Sequence, residues 1–85
     1  MKAKQPITDA ERRYARQVGS ALSALAEERG LSQTVMAERC ALDQSTWSRI
    51  ENGRIVPNAI HLTRAAAVLE LQPSEILRRA EAITL

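Results

Sequence analysis

An all-α fold of five helices is what the sequence predicts, and three observations lead to it. Apolar residues recur at three- and four-residue spacing, no stretch alternates apolar with polar in the β manner, and Thr, Ser, Asp or Asn stands ready to cap four of the five segments. The 85 residues give room for one core and none for a second domain. Hydrophobic residues make up 45% of the chain, which supplies the dense patterning that so small a core requires.

The first helix opens at Thr8-Asp9-Ala10-Glu11, a capping box in which each side chain satisfies an orphan backbone donor. Tyr14, Val18, Ala21, Leu22 and Leu25 then form its apolar face, with Arg12, Arg13 and Arg16 on the opposite side. It is expected to end at Arg29, with Gly30 as a left-handed cap. Residues 1–7, which carry Lys2 and Lys4, read as a flexible basic arm, and residues 8–85 as the single domain. Ser32 caps a second helix over 33–40, whose apolar residues are Val35, Met36, Ala37 and Cys40. After the turn Ala41-Leu42-Asp43, Asp43 caps a third helix over 44–52, which stops at Gly53. Pro57 and Asn58 introduce a fourth helix over 59–69, with Ile60, Leu62, Ala65, Ala66, Val68 and Leu69 as its apolar positions. Pro73 suits the first position of a fifth helix running to about residue 83.

Charge and cysteine content narrow the classes. The net charge of +2 lies entirely in residues 1–29, and no long basic stripe exists, so composition alone neither demands nor excludes a polyanion partner. A single Cys permits no intrachain disulfide and no zinc cluster, which fits a reducing cytosol. Charges interrupt every apolar stretch, so neither a signal peptide nor a membrane span is expected.

Two short helices joined by a three-residue turn form a helix-turn-helix arrangement, in which the second helix can enter the major groove of DNA. On the third helix Trp47 and Ile50 share one side, which must face the core. The opposite arc collects Gln44, Ser45, Ser48, Arg49 and Asn52. Amides, hydroxyls and one guanidinium suit base edges, since Gln pairs bidentately with adenine and Arg with guanine. An ordinary solvated face would carry Glu and Lys pairs instead, and this arc carries neither.

From about Gly19 to Leu77 the chain resembles the Cro and phage-repressor type of helix-turn-helix regulator, also called XRE-like. The resemblance rests on Gly30-Leu31-Ser32-Gln33, Met36-Ala37-Glu38-Arg39, Gln44 through Gly53, and Pro57, alike in residue type and spacing. It implies a compact lambda-repressor-like domain and a sequence-specific regulator, most readily a repressor, that binds double-stranded DNA as a homodimer. By this resemblance Gln44, Ser45 and Arg49 are base contacts. Gln33 meets a phosphate and braces the first residue of the recognition helix, Asn52 and Arg54 meet phosphates, and Ser48 joins them as a supporting contact. Three positions depart from the pattern. Ala41 replaces a turn Gly, at a strain of roughly 1 kcal/mol for a left-handed non-glycine residue. Ala26 replaces an Arg that in many members pairs with the counterpart of Glu51, leaving Glu51 to another partner or none. Glu70 stands where Gly often ends the fourth helix, so that helix is expected to lengthen or the fifth to change its angle.

Other residues have blander readings. Cys40 and Trp47 read as core, His61 as a helix-end or surface residue, and Arg12, Arg13 and Arg16 as a solvated helix face with phosphate contact as the minority alternative. A lone module reads only a few base pairs, so a twofold dimer is expected, with Ile76, Leu77, Ile83 and Leu85 as its seam. No cofactor, metal or small-molecule ligand is expected, and no catalytic constellation is present in the sequence. The chain is expected to be a stand-alone regulator in the cytoplasm, associated with the nucleoid. The alternative is the same fold used as an antitoxin or adaptor whose main partner is another protein.

Overall fold

The computed structural model describes residues 8–84. The arm over residues 1–7 and the expected seam residue Leu85 lie outside the described residues. Among the described residues the chain forms five α-helices and no strand: α1 (Asp9–Glu28), α2 (Gln33–Arg39), α3 (Gln44–Glu51), α4 (Ala59–Leu69) and α5 (Pro73–Glu81).

Each start is written in the local sequence. The Thr8 hydroxyl accepts from the Glu11 N–H (3.1 Å) while the Glu11 carboxylate accepts from the Thr8 N–H (3.0 Å), which completes the capping box. Ser32 and Asp43 accept from the N–H groups of Val35 and Thr46 at 3.2 and 2.6 Å. Asn58 and His61 reciprocate: Asn58 Oδ1 accepts from the His61 N–H (2.8 Å), and His61 Nδ1 accepts from the Asn58 N–H (3.2 Å). That gives His61 its helix-end role. Pro73 begins α5, where the missing N–H costs nothing, and Glu75 accepts from the Gln72 N–H at 2.9 Å.

The first four helices end alike. A residue in the left-handed region follows each one, at Gly30 (φ 67°), Ala41 (57°), Gly53 (68°) and Glu70 (59°). The next N–H then reaches back five residues: Leu31 to the Ala26 carbonyl, Leu42 to Ala37, Arg54 to Arg49 and Leu71 to Ala66. Leu31, Leu42 and Leu71 pack against the core, so their burial holds these turns closed. Of the two outcomes expected at Glu70, a longer α4 is not found: the helix ends at Leu69, and with Leu71 docked on the core Glu70 takes the left-handed conformation. The fifth helix closes at Glu81, two residues short of the expected end, because the Ile83 N–H turns back to the Ala80 carbonyl (3.1 Å) and Gln17 of α1 donates to the Ile83 carbonyl (2.9 Å).

The long α1 is the spine, packing on α5, α3 and α4. Val18, Leu22 and Leu25 of α1 meet Met36, Trp47, Ile50, Leu62, Leu69 and Ile76 in one core, each large aliphatic side chain contributing about 1.5–3 kcal/mol of apolar burial. Cys40 and Trp47 are buried in it, as read from their spacing. Ile76 is a correction: at 0% exposure it is absorbed by the core of its own chain and has no surface to offer a second copy. Leu77 and Ile83 pack at the core's margin, half-buried.

Two glycines set how closely α3 lies on α1. A Cβ on Gly19 would fall 2.7 Å from the Glu51 carbonyl oxygen and closer still to that of Ile50. A Cβ on Gly53 would meet Arg16 at Cγ (2.7 Å) and Cα (2.8 Å). The end of α3 therefore rests directly on the backbone of α1.

Candidate nucleic-acid interface

Helices α2 and α3 pack on each other, with Met36 and Ala37 of α2, the cap residue Cys40, and Trp47 and Ile50 of α3 all in the common core; α1 supports α3 from behind and α4 packs on α2. The small Ala37, 2% exposed, sits in this contact. With Trp47 and Ile50 turned inward, the arc bearing Gln44, Ser45, Ser48, Arg49 and Asn52 is turned outward.

The arc divides into free and tethered groups. Gln44 and Arg49 are exposed and make no side-chain hydrogen bond among the described residues, so their donors and acceptors are available. Ser45 donates its hydroxyl to Asp43 Oδ1 (2.9 Å) and keeps its lone pairs free to accept. Asn52 Nδ2 donates to the Ser48 carbonyl (2.9 Å) and Ser48 Oγ (3.3 Å), so these two residues brace the end of α3. The Thr46 N–H, then the Thr46 and Ser45 side chains, hold the Asp43 carboxyl below the usual range, with Arg49 adding a smaller pull. The cap is thus an anion that also orients Ser45.

Gln33 differs from the family-based expectation in the residue that it braces. Gln33 Nε2 donates to Glu51 Oε1 at 2.6 Å, so Gln33 braces the far end of α3 rather than Gln44. Glu51 in turn finds in Gln33 the partner that Ala26 cannot supply. Arg54 is exposed in the loop after Gly53, its backbone closing α3 on the Arg49 carbonyl (2.9 Å).

Sequence reading missed the Asp43–Ser45 and Ser48–Asn52 bonds, although spacings of two and four residues between such side chains would have pointed to them. It also missed Gly19, because a glycine inside a helix carries no periodic signal, and nothing but the facing backbone makes it necessary. The described residues hold no helix long and apolar enough to cross a membrane, and no cluster of His, Cys, Asp or Glu able to hold a metal ion.

Two short helices packed on each other, the second resting on a long supporting one with free amide and guanidinium groups facing out, define a DNA-binding domain of the helix-turn-helix class. The chain belongs to the helix-turn-helix domain family, whose profile matches residues 17–79, and as a member it is a DNA-binding transcription regulator rather than an enzyme. Among solved structures it is similar to the clp gene regulator ClgR from Corynebacterium glutamicum, at 20% identity over 80% of this chain and 72% of that one, with a TM-score of 0.77. A second crystal structure of ClgR matches at 21% identity over 94% and 95% of the two chains, also with a TM-score of 0.77. The restriction-modification controller protein C.AhdI from Aeromonas hydrophila matches at 27% identity over 73% of this chain and 94% of that one, with a TM-score of 0.70. The ClgR likenesses bear on the fold alone. A comparison with curated proteins gave no match.

Proposed function

We propose that the protein is a sequence-specific repressor that binds a pseudo-palindromic operator as a homodimer, with α3 in the major groove. The observation that carries this reading is the outward arc of α3, where Gln44 and Arg49 are free while their neighbours are tied. Gln44, Ser45 and Arg49 read base edges, and Gln33, Ser48, Asn52 and Arg54 position the helix against the sugar-phosphate backbone. Three reading side chains cover only a few base pairs, so specificity requires a second copy about 34 Å away, one turn along the duplex. We assign the pairing surface to α5 and the segment after it, where Leu77 and Ile83 are half-buried and Ile76 takes no part. Occupation of a promoter in the cytoplasm, at the nucleoid, then blocks transcription. The rival reading, a protein-docking antitoxin or adaptor, calls for an exposed apolar groove. Ile60 is the one large hydrophobic residue exposed among the described residues, and a lone exposed Ile is ordinary.

Selection of bound sequences from random duplex DNA tests the reading, and a palindrome with half-sites one turn apart is the expected result. Gln44→Ala and Arg49→Ala should each lower discrimination at one base position by roughly 1–3 kcal/mol, about 5- to 150-fold, with helicity by circular dichroism unchanged. Retained preference in both variants would sink the reading.

A further inference from the structure

Beyond the arc on α3, the structure gathers arginines along its border. Arg12 and Arg54 line one cleft of about 280 Å³ together with Ala15, Gly53, Ile55 and Val56. Arg12 also lines a neighbouring cleft with Asp9, Arg13 and Arg16, and Arg16 a third with Ser20, Glu51 and Asn52. Arg12 and Arg16 are thus shared between adjoining clefts, and the band they form runs from the first turns of α1 to the exit of α3. What brings it together is Gly53, which lets Arg16 lie on the loop that carries Arg54.

Three features make this arrangement unfavourable for the protein alone. Arg12 and Arg16 are one helical turn apart on the same face, a spacing at which like charges repel. Both lie in the N-terminal half of α1, and Arg12 is close enough to the positive end of the helix dipole for that to disfavour a cation. No carboxylate lies within salt-bridge distance of Arg12, Arg16 or Arg54 among the described residues, where the pair found is Arg79 with Glu28. Glu51 lines the cleft of Arg16 with one oxygen held by the neutral Gln33 amide, and Asp9 is the other acid of the band. With Arg13 beside them, four exposed guanidinium groups share the band with two carboxylates, and that excess of positive charge suits a run of external anions.

We infer that Arg12 and Arg16 of α1 join Arg54, already placed at the sugar-phosphate backbone, in a phosphate clamp that grips the DNA strand passing the C-terminal end of α3. The clamp rests on the DNA-binding reading and adds a second element to it. The arc of α3 chooses the sequence, and the band on α1 supplies grip that is indifferent to sequence. Arg12 and Arg16 accordingly leave the solvated-face reading.

The test is a salt titration of full-length protein on a mixed-sequence duplex and on the selected operator, comparing wild type with Arg12→Gln/Arg16→Gln. Gln keeps the Cβ and Cγ atoms with which Arg16 covers Gly53, and Arg12→Gln/Arg54→Gln serves as a second variant that leaves that packing untouched. Each double variant should flatten the slope of log affinity against log salt by about 1.8, from two phosphates at roughly 0.9 each. The affinity gap to wild type should therefore narrow roughly tenfold between about 50 and 200 mM salt, equally on both duplexes. Arg78→Gln, which removes the same charge from α5, should leave the slope unchanged. A steep wild-type slope that both double variants retain would overturn the clamp and leave the DNA-binding reading standing. A variant that lost operator preference without a change of slope would also overturn it, in favour of base contact. Absence of salt-dependent duplex binding by the wild type would overturn the DNA-binding reading and the clamp with it.

Discussion

Gly19 and Gly53 do more for the interface than their missing side chains suggest. At Gly19 any Cβ would collide with the last carbonyls of α3, which are backbone atoms and cannot turn aside. Gly19→Ala should therefore push α3 away from α1 and destabilise the fold by about 1–3 kcal/mol, a cost typical of overpacking. For a domain of this size that corresponds to a fall of roughly 4–8 °C in Tm per kcal/mol, read by thermal circular dichroism. An unchanged Tm would mean that α1 and α3 can separate freely. Gly53 bears both burdens at once, a φ of +68° and a collision with Arg16, so its role is conformational as well as steric. The sequence marked Gly53 as a helix stop, but the proximity of Arg16 is a property of the packed molecule. The same holds for Gln33, whose partner Glu51 lies eighteen residues away in the chain.

At the scale of the helices, local chemistry made most of the architecture legible before any coordinates. Thr8, Ser32, Asp43 and Asn58 cap the helices they precede, and Gly30 and Gly53 end the helices they follow. The left-handed turn at Ala41 was legible through the family pattern, whereas the one at Glu70 was not. The signal at that turn is Leu71, whose burial sets the conformation of the residue before it, and burial is not a local property. The outward arc of α3 followed from its periodicity because an eight-residue helix with two large apolar residues can face the core in only one way. The tethering of Ser45, Ser48 and Asn52 did not, since side-chain hydrogen bonds depend on rotamers as well as spacing.

The Asp43 cap carries a pH dependence of known sign. Hydrogen bonds from Thr46 and Ser45 favour the carboxylate in the folded state, so its folded pKa lies below its unfolded value. The stability this confers is present above the unfolded pKa and is lost as pH falls through the folded one. Asn caps comparably but does not titrate in this range. The stability difference between wild type and Asp43→Asn, measured by urea denaturation, should therefore shrink as pH drops from neutrality to below the ordinary aspartate range near 3.9. A constant difference across that span would show that the cap is not held as an anion.

At the scale of the whole molecule, a net charge of +2 conceals an uneven distribution. The band of Arg12, Arg16 and Arg54 borders the readout helix, while Arg79 of α5 is paired with Glu28 at the end of α1. Composition could not reveal this, because a sum of charges has no direction. Cross-links tie the parts into one unit: Arg29 Nε donates to the Leu69 carbonyl (3.0 Å), joining α1 to the end of α4, and Gln17 joins α1 to the segment after α5. With one continuous core, loss of helicity and loss of tertiary packing should coincide in a single cooperative transition. Separate midpoints would show that α5 or the α2–α3 pair melts independently.

Trp47 makes that comparison possible without any label. It is the chain's single tryptophan, it belongs to the readout helix, and its ring is 1% exposed on the side away from the arc. Its indole N–H has no partner among the described residues, so the chromophore sits in apolar surroundings and its emission belongs at short wavelength. Emission should shift to the red when α3 leaves the core and should hold its colour when a duplex docks on the opposite face. A single optical channel can thus separate occupancy of the helix from its integrity.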